Sequence, residues 1–182
     1  NGGTFRYIGA AVSTDRLFSV TINGGSLDAS GTGVVNFTNT GSMGFNFQSG
    51  ARTLTLTGTG GGAIAAIIGD NGGATSVTKA GAGQWTLSGA NGYTGPTTIS
   101  GGQLVVSSLA NGGSASGIGA STNAAANLVL NGGTLKYTGA AVSTDRLFSV
   151  GTNGGTLDAS GTGAVNFTNT GSMGFNGQSG IR

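Results

Sequence analysis

The chain repeats itself at a distance of 130 residues, and this repeat constrains its fold more than any other feature. Residues 1–52 and 131–182 differ at nine of 52 aligned positions, and residues 10–20 return unchanged as residues 140–150. A chain that repeats a long segment this closely is built from stacked modules, each of which packs against the next. The sequence therefore predicts a repeat architecture.

The composition favours β-structure with many tight turns. Glycine accounts for 40 of 182 residues and charged residues for 7%, against ordinary shares of roughly 7% and roughly 25%. Glycine breaks helices, and the glycines here lack the strict spacing of collagen. A disordered linker is the alternative, but the apolar residues fall in short runs between Gly-rich turns, such as 54–56 and 128–130. That regularity indicates an ordered chain.

Charge and hydropathy exclude two classes of partner. The net charge of +2 is too small to predict a nucleic-acid partner. The longest apolar stretch, residues 63–68, is too short to span a bilayer. We therefore expect no nucleic-acid partner and no membrane span in this segment.

The spacing of the turns predicts a solenoid. Asn-Gly-Gly occurs at positions 1, 23, 71, 111, 131 and 153, and both residue types tolerate the positive φ of a sharp turn. A hairpin meander needs closer turns, and the signature of a leucine-rich repeat is absent. A right-handed parallel β-helix fits turns spaced at roughly 20–25 residues, because each coil lies on the one before it. We expect residues 1–182 to form one all-β solenoid of about eight coils, with about six coils in the 130-residue repeat.

Aromatic and methionine side chains lie in the longest stretches between turns. Two readings are open for them, packing in the core and an apolar binding patch, and core packing is the prediction. They are Phe37, Met43 and Phe45, with Phe167, Met173 and Phe175 in the second copy. Phe47 is different, because Gly177 replaces it in the second copy. We therefore predict that Phe47 faces outward or toward a neighbour.

The chain offers little catalytic or metal-binding chemistry. It has no His and no Cys, so triad, Cys–His and zinc arrangements are unavailable. Two of its carboxylates could form a glycosidase-like dyad, but four of the five recur between the copies and so belong to the repeat. The acids are Asp15, Asp28, Asp70, Asp145 and Asp158. We predict that the chain is not an enzyme and that it has no catalytic, cofactor or metal site.

Two acids stand next to arginines, and one stands among glycines. The pairs Asp15–Arg16 and Asp145–Arg146 predict surface turns with weak ion pairs. Asp70 provides the one carboxylate within residues 69–73, which is too few for calcium.

A row of hydroxyls is the main candidate for ligand binding. Thr53, Thr55, Thr57 and Thr59 alternate along one predicted strand, and outward rows of this kind could contact polysaccharide or ice. The simpler reading is that threonine suits the outer face of a strand. A binding face would repeat threonine at the same place on consecutive coils, and the sequence alone does not align the coils. The ligand-binding residues are therefore left unknown.

Residues 79–104 resemble the autotransporter-associated β-strand repeat, found in passenger regions of bacterial autotransporters and related surface proteins. Pro96 stands where this family usually has glycine, which is compatible with a turn or strand start. The resemblance implies a right-handed β-helix and export to the cell surface. We expect a stiff rod or filament that extends or links surface structures, with a structural or adhesive role. The matching residues are Gly83, Trp85, Thr86, Leu87, Gly89, Asn91, Tyr93, Thr94, Gly95, Thr97, Thr98, Ile99, Gly102 and Leu104.

The pattern at the two termini predicts self-association. The chain begins at Asn1 and stops at Arg182 inside the repeat pattern, and we expect it to be a piece of a longer protein. A solenoid without caps exposes unpaired strand edges at both ends. We therefore expect head-to-tail association through the open ends, and a surface glycan is a second candidate partner.

Overall fold

Short strands separated by Gly-rich turns run through the whole chain. The computed structural model describes residues 2–175, which contain sixteen strands and one 3-10 helix at Ala125–Asn127. None of the described helical residues forms a helix long and apolar enough to cross a membrane. The strands are β1 (Thr4–Tyr7), β2 (Val12–Thr14), β3 (Gly25–Ala29), β4 (Val35–Phe37), β5 (Arg52–Thr57), β6 (Gly62–Ile64), β7 (Thr75–Lys79), β8 (Gln84–Leu87), β9 (Thr97–Ile99), β10 (Gln103–Val106), β11 (Leu128–Leu130), β12 (Thr134–Tyr137), β13 (Val142–Thr144), β14 (Ser149–Val150), β15 (Thr156–Asp158) and β16 (Val165–Phe167).

The strands stack into parallel sheets that run along the molecule. Face A has the order β1-β3-β5-β7-β9-β11-β14, and face B has the order β2-β4-β6-β8-β10-β12-β15. Face C, the third side, consists of parallel bridges such as Ser19 with Gly44 in the first coils and of β13 paired with β16 in the last two. Each coil adds one strand to face A and one to face B, which gives seven coils. The predicted β-solenoid of about eight coils is confirmed.

Coil length varies because some corners carry long excursions. Gln84 pairs with Gln103, nineteen residues further on, whereas Thr97 pairs with Leu128, thirty-one residues further on. The longer coil contains the excursion of residues 107–127, which leaves the sheets between β10 and β11.

Inward side chains of successive coils form continuous rows in the narrow core. On face B, Val35 pairs with Gly62, Gly62 with Trp85 and Trp85 with Leu104. A Cβ on Gly62 would lie 2.6 Å from the Trp85 ring, so glycine makes room for the indole. The indole Nε1 of Trp85 donates a hydrogen bond of 2.9 Å to the carbonyl of Thr57. One large side chain thus fills the space left by a small one on the neighbouring coil.

The two copies of the repeat place the same strands on different faces. β1 lies on face A in the first coil, whereas its counterpart β12 lies on face B in the sixth coil. In the same way, β2 lies on face B, and its counterpart β13 forms face C with β16. The 130-residue repeat therefore advances by five turns and one face, against the expected six or so. The difference arises because the long excursions raise the average number of residues per coil.

Candidate functional site

Outward hydroxyls of face A form a ladder across five consecutive coils. Strand pairing places Thr4 opposite Ser26, Ser26 opposite Thr55, Thr55 opposite Thr78 and Thr78 opposite Thr98. The next coil ends the row, because Val129 lies opposite Thr98. We call these five residues the hydroxyl ladder. Neighbouring members are about 4.8 Å apart, which is the strand spacing of a sheet.

The threonines singled out in the sequence widen this ladder at its third coil. Thr53 and Thr57 flank Thr55 on the outer side of β5, while Leu54 and Leu56 between them are fully buried. Thr53 lies opposite Ser76, and Thr57 lies opposite Asp28. Thr59 is exposed beyond the end of the strand. The ladder with its flanks is a flat array of hydroxyls that can donate and accept hydrogen bonds to a flat polar partner.

Ion pairs occupy equivalent places in the two copies. Arg6 Nε lies 3.4 Å from a carboxylate oxygen of Asp28, and Lys136 Nζ lies 3.4 Å from a carboxylate oxygen of Asp158. Hydrogen bonds from Ser160 are the main reason why the pKa of Asp158 lies below its usual range, and Lys136 adds to the effect. Both pairs cross from one coil to the next, so each ties two coils together at the surface.

The predicted pairs Asp15–Arg16 and Asp145–Arg146 are wrong. Across residues 2–175, the ion pairs within 4 Å are those of Arg6 and Lys136. The carboxylate of Asp145 instead accepts hydrogen bonds from the backbone N–H of Gly112 at 2.7 Å and from the Asn123 amide at 3.1 Å. These bonds fix the 107–127 excursion to the sixth coil, so the carboxylate stabilises the excursion and forms no ion pair with Arg146.

Asp70 also serves the backbone. One of its carboxylate oxygens accepts a hydrogen bond of 2.6 Å from the Thr75 N–H, and the other accepts bonds from the N–H and the hydroxyl of Thr94 at 3.0 and 2.6 Å. In the described part of the chain, no group of three or more acidic side chains could hold a metal ion.

A lysine inside the solenoid is a feature that the sequence interpretation missed. Lys79 is fully buried, and its ammonium donates hydrogen bonds to the carbonyls of Ala80, Gly81 and Gly101 at 2.6, 3.0 and 3.0 Å. Burial lowers its pKa from 10.5 to about 8. A signal was present, because strand alternation places Lys79 on the same side of β7 as the buried Val77.

Arg146 is a second buried cation, and its counterpart Arg16 is exposed. The Arg146 guanidinium donates hydrogen bonds to the carbonyls of Ala110 at 2.9 Å and Gly119 at 3.0 Å and to the Ser121 hydroxyl at 3.0 Å. It therefore fastens the 107–127 excursion to the sixth coil. The local sequence is the same at both arginines, so the environment that the preceding coil supplies makes the difference.

Arg52 is the third buried cation, and it lies at another corner of the solenoid. Its guanidinium donates to the carbonyls of Val20 at 2.8 Å and Gln48 at 3.0 Å, and it lies 4.5 Å from the centroid of the Phe45 ring. The three buried cations thus satisfy backbone carbonyls at corners where the chain leaves the sheets.

The Phe and Met side chains predicted to pack in the core are buried or packed against the core in the first copy of the repeat and exposed in the second. Phe37 and Met43 are buried in the core, as predicted, and Phe45 packs against it. Their counterparts are exposed, because they lie on the last described coil; they are Phe167, Met173 and Phe175. Phe47 is fully exposed, which confirms that it faces outward. Its counterpart Gly177 lies outside the described residues.

Two polar side chains of the motif, those of Asn91 and Tyr93, are buried inside the solenoid. The side-chain carbonyl of Asn91 accepts a hydrogen bond of 2.9 Å from the Ile68 N–H, and its amide donates to the Gly117 carbonyl at 3.3 Å. Tyr93 is fully buried, and its hydroxyl lies 2.7 Å from that of Thr97. Burial raises the pKa of Tyr93 well above its usual range. The Asn91 side chain therefore joins three successive coils.

Comparison with known families identifies this segment. A family model described as Passenger-associated-transport-repeat matches residues 77–106. The chain carries a passenger-associated transport repeat. The matched residues include Lys79, Trp85, Asn91 and Tyr93, which are the buried side chains described above.

A curated relative agrees with the passenger repeat. The chain is 45% identical over 169 residues to the "Adhesin BmaC autotransporter" of Brucella suis biovar 1 (strain 1330). The match covers 89% of this chain and 5% of the length of that relative. No solved structure matches. This solenoid is a structural segment of a bacterial protein located at the cell surface or outside the cell.

Proposed function

We propose that this passenger segment is a non-enzymatic stiff spacer that extends or links structures at the cell surface. The observation that carries the proposal is the unbroken pairing of faces A and B through seven coils. Each coil is joined to the next by ladder hydrogen bonds and by inward rows, so bending would break both. Four of the five carboxylates, those of Asp28, Asp70, Asp145 and Asp158, are each used by a turn or an ion pair, which agrees with a segment that has no catalytic role.

Force spectroscopy tests the spacer proposal. A single molecule held at its two ends should resist extension and then lengthen in steps, each releasing one coil. The pairing intervals of 19 to 31 residues give the expected step sizes. Smooth lengthening at low force, as a flexible linker shows, would contradict the proposal.

An adhesive contribution is the second part of the proposal. The name of the relative contains the word adhesin, and the hydroxyl ladder gives this chain a flat polar surface suited to a repetitive partner. A surface polysaccharide fits best, because its hydroxyls can exchange hydrogen bonds with the ladder at each coil. Ice is the alternative partner for the same surface.

Binding assays with matched variants test the adhesive part. Thr55→Lys with Thr78→Lys interrupts the hydroxyl ladder at two adjacent coils on face A. Thr86→Lys with Thr156→Lys places the same charges on face B and serves as the control. The proposal predicts that the face A variant loses polysaccharide retention while the control keeps it. Equal retention of polysaccharide by both variants would overturn the adhesive role. If the wild type and the face B control slow ice growth and the face A variant does not, the ligand of the ladder is ice.

A further inference from the structure

The sequence Asn-Gly-Gly stands at several turns, and one of these turns has a distinctive environment. It occurs at residues 111–113, 131–133 and 153–155, among other places. The backbone nitrogen of a glycine can attack the side chain of the asparagine before it, because glycine has no side chain that hinders the approach. The surrounding groups decide whether this attack takes place. The turn at 111–113 lies in the 107–127 excursion, where Asn111 is exposed.

Asp145 contacts both reacting groups at this turn. Its carboxylate accepts a hydrogen bond of 2.7 Å from the Gly112 N–H, and its own N–H donates a bond of 3.0 Å to the side-chain oxygen of Asn111. A carboxylate at this distance can take up the proton of the attacking nitrogen. A donor on the side-chain oxygen stabilises the negative charge that develops there during the attack. One residue therefore supplies a base and an oxyanion donor.

Two more donors lie at the main-chain carbonyl oxygen of Asn111. The Ser114 N–H donates to this oxygen at 3.1 Å, and the buried guanidinium of Arg146 donates to it at 3.4 Å. When the Gly112 nitrogen loses its proton, this oxygen shares the negative charge, since both atoms belong to one resonating peptide group. A cation beside the oxygen therefore favours the deprotonated, nucleophilic form of the nitrogen.

We propose that Asn111 is a site of self-modification, at which the folded chain converts this asparagine into aspartate or isoaspartate. The Gly112 nitrogen bonds to the side-chain carbon Cγ of Asn111 and gives its proton to the Asp145 carboxylate. The bond from Cγ to Nδ2 breaks, and the nitrogen leaves as ammonia with the proton that Asp145 returns. Water then opens the five-membered succinimide at either of its two carbonyls. Because Asn111 is exposed, ammonia can leave and water can enter.

Two other Asn-Gly-Gly turns lack the base. The N–H groups of Gly132 and Gly154 donate to the main-chain carbonyls of Gly154 at 2.8 Å and Gly151 at 3.0 Å. A peptide carbonyl is a far weaker base than a carboxylate, so it does not take up the proton. The side-chain oxygen of Asn131 accepts a bond of 3.2 Å from the Asn153 N–H. This turn therefore has an oxyanion donor without a base, and both turns serve as internal controls.

The product changes the contact that holds the excursion. Aspartate at position 111 places a second carboxylate beside Asp145, which fixes the 107–127 excursion to the sixth coil. Isoaspartate also lengthens the main chain at this point. The inference goes beyond the spacer function, because a spacer needs no reaction. Asp145 acts once, on its own chain, and turns over no substrate, so the segment remains non-enzymatic.

Mass spectrometry of the incubated chain tests the proposal without any substitution. In the folded chain, Asn111 should lose its amide about tenfold faster than it does in concentrated urea. Asn131 and Asn153 should react no faster folded than in urea, and the three sites should react at similar rates in urea because they share one local sequence. The proposal is overturned if Asn111 reacts no faster in the folded chain, or if the chain is cleaved after Asn111 with no loss of the amide.

An Asp145→Asn variant separates the base from the hydrogen bonds. Asparagine keeps an acceptor for the Gly112 N–H and the backbone donor to Asn111, but it does not take up the proton. We expect amide loss at Asn111 to slow by about tenfold in the folded variant. Asp28→Asn is the matched control, because it removes the same charge on the second coil, and it should leave the rate at Asn111 unchanged. An equal rate in the two variants would contradict the role of Asp145.

Discussion

Phe47 occupies a backbone conformation that suits glycine. Its φ is 58°, and that of Asn46 before it is 49°; a residue with a side chain pays about 1–2 kcal/mol for this left-handed region. The exposed ring of Phe47 has little packing to offset that cost. The chain itself uses Gly177 at the same place in the second copy.

We predict that Phe47→Gly keeps or raises the free energy of unfolding, by up to about 1 kcal/mol after the entropic cost of glycine. Denaturant unfolding measures it. Phe37→Gly is the control, because Phe37 is buried in the core and its loss should cost about 3–5 kcal/mol or more. A loss of more than about 1 kcal/mol in Phe47→Gly would show that the ring makes a contact that matters.

Lys79 makes stability depend on pH. Since its pKa is lowered from 10.5 to about 8, the folded chain releases this proton at a lower pH than the unfolded chain does. The unfolded state therefore binds more protons between about pH 8 and about pH 10.5, and this contribution to stability rises with pH in that window. Tyr93, which stays protonated when folded, contributes in the opposite sense near pH 10.

A comparison with Lys79→Met isolates the lysine, because Tyr93 is common to both proteins. We expect the difference in unfolding free energy to move in favour of the wild type from about pH 7 to about pH 9.5. Urea unfolding at several pH values gives this difference. A difference that stays constant with pH would mean that the buried amine titrates as it does in water.

Single residues show where sequence reasoning succeeds and where it stops. The loss of the Phe47 side chain in the second copy correctly predicted an exposed position. The burial of Lys79 follows from the alternation along β7, but the carbonyls that bind it come from the corners at Ala80, Gly81 and Gly101. Corner geometry depends on how the coils align, which a single sequence leaves open.

At the scale of elements, identical sequences take different roles according to what covers them. Residues 140–150 repeat residues 10–20 without change, yet Arg146 is buried against the 107–127 excursion and Arg16 is exposed. Burial of a guanidinium that satisfies several carbonyls is a long-range property, so local sequence could not assign it. The ion pair predicted for Arg146 failed for this reason.

The two arginines form a natural matched pair for mutation. Arg146→Met should lower the free energy of unfolding by about 2–4 kcal/mol, because it removes the charge-assisted hydrogen bonds to the carbonyls of Ala110 and Gly119 and to the Ser121 hydroxyl. Arg16→Met should change it by less than about 0.5 kcal/mol. Urea unfolding and hydrogen exchange in residues 107–127 check the pair. Equal effects at the two sites would contradict the fastening role of Arg146.

At the scale of the whole molecule, the repeat and its turns were enough to predict a parallel β-solenoid. They were not enough to predict the number of residues in each coil. Regular Asn-Gly-Gly spacing suggested about 20–25 residues per coil, whereas the longest coil takes 31 because of its excursion. The extra residues move the second copy onto the next face. The sixth strand of face A is therefore β11, in which Val129 lies opposite Thr98 and ends the hydroxyl ladder.

The measurement that tests this account most directly is disulfide mapping within one molecule of which face the second copy uses. Thr134, the counterpart of Thr4, lies opposite Gln103 on face B, at a strand spacing that a disulfide can bridge. The account predicts that Gln103→Cys with Thr134→Cys forms an intramolecular disulfide, while Thr98→Cys with Thr134→Cys does not. If the Thr98 pair closed and the Gln103 pair stayed reduced, the second copy would lie on face A and the one-face rotation would be wrong.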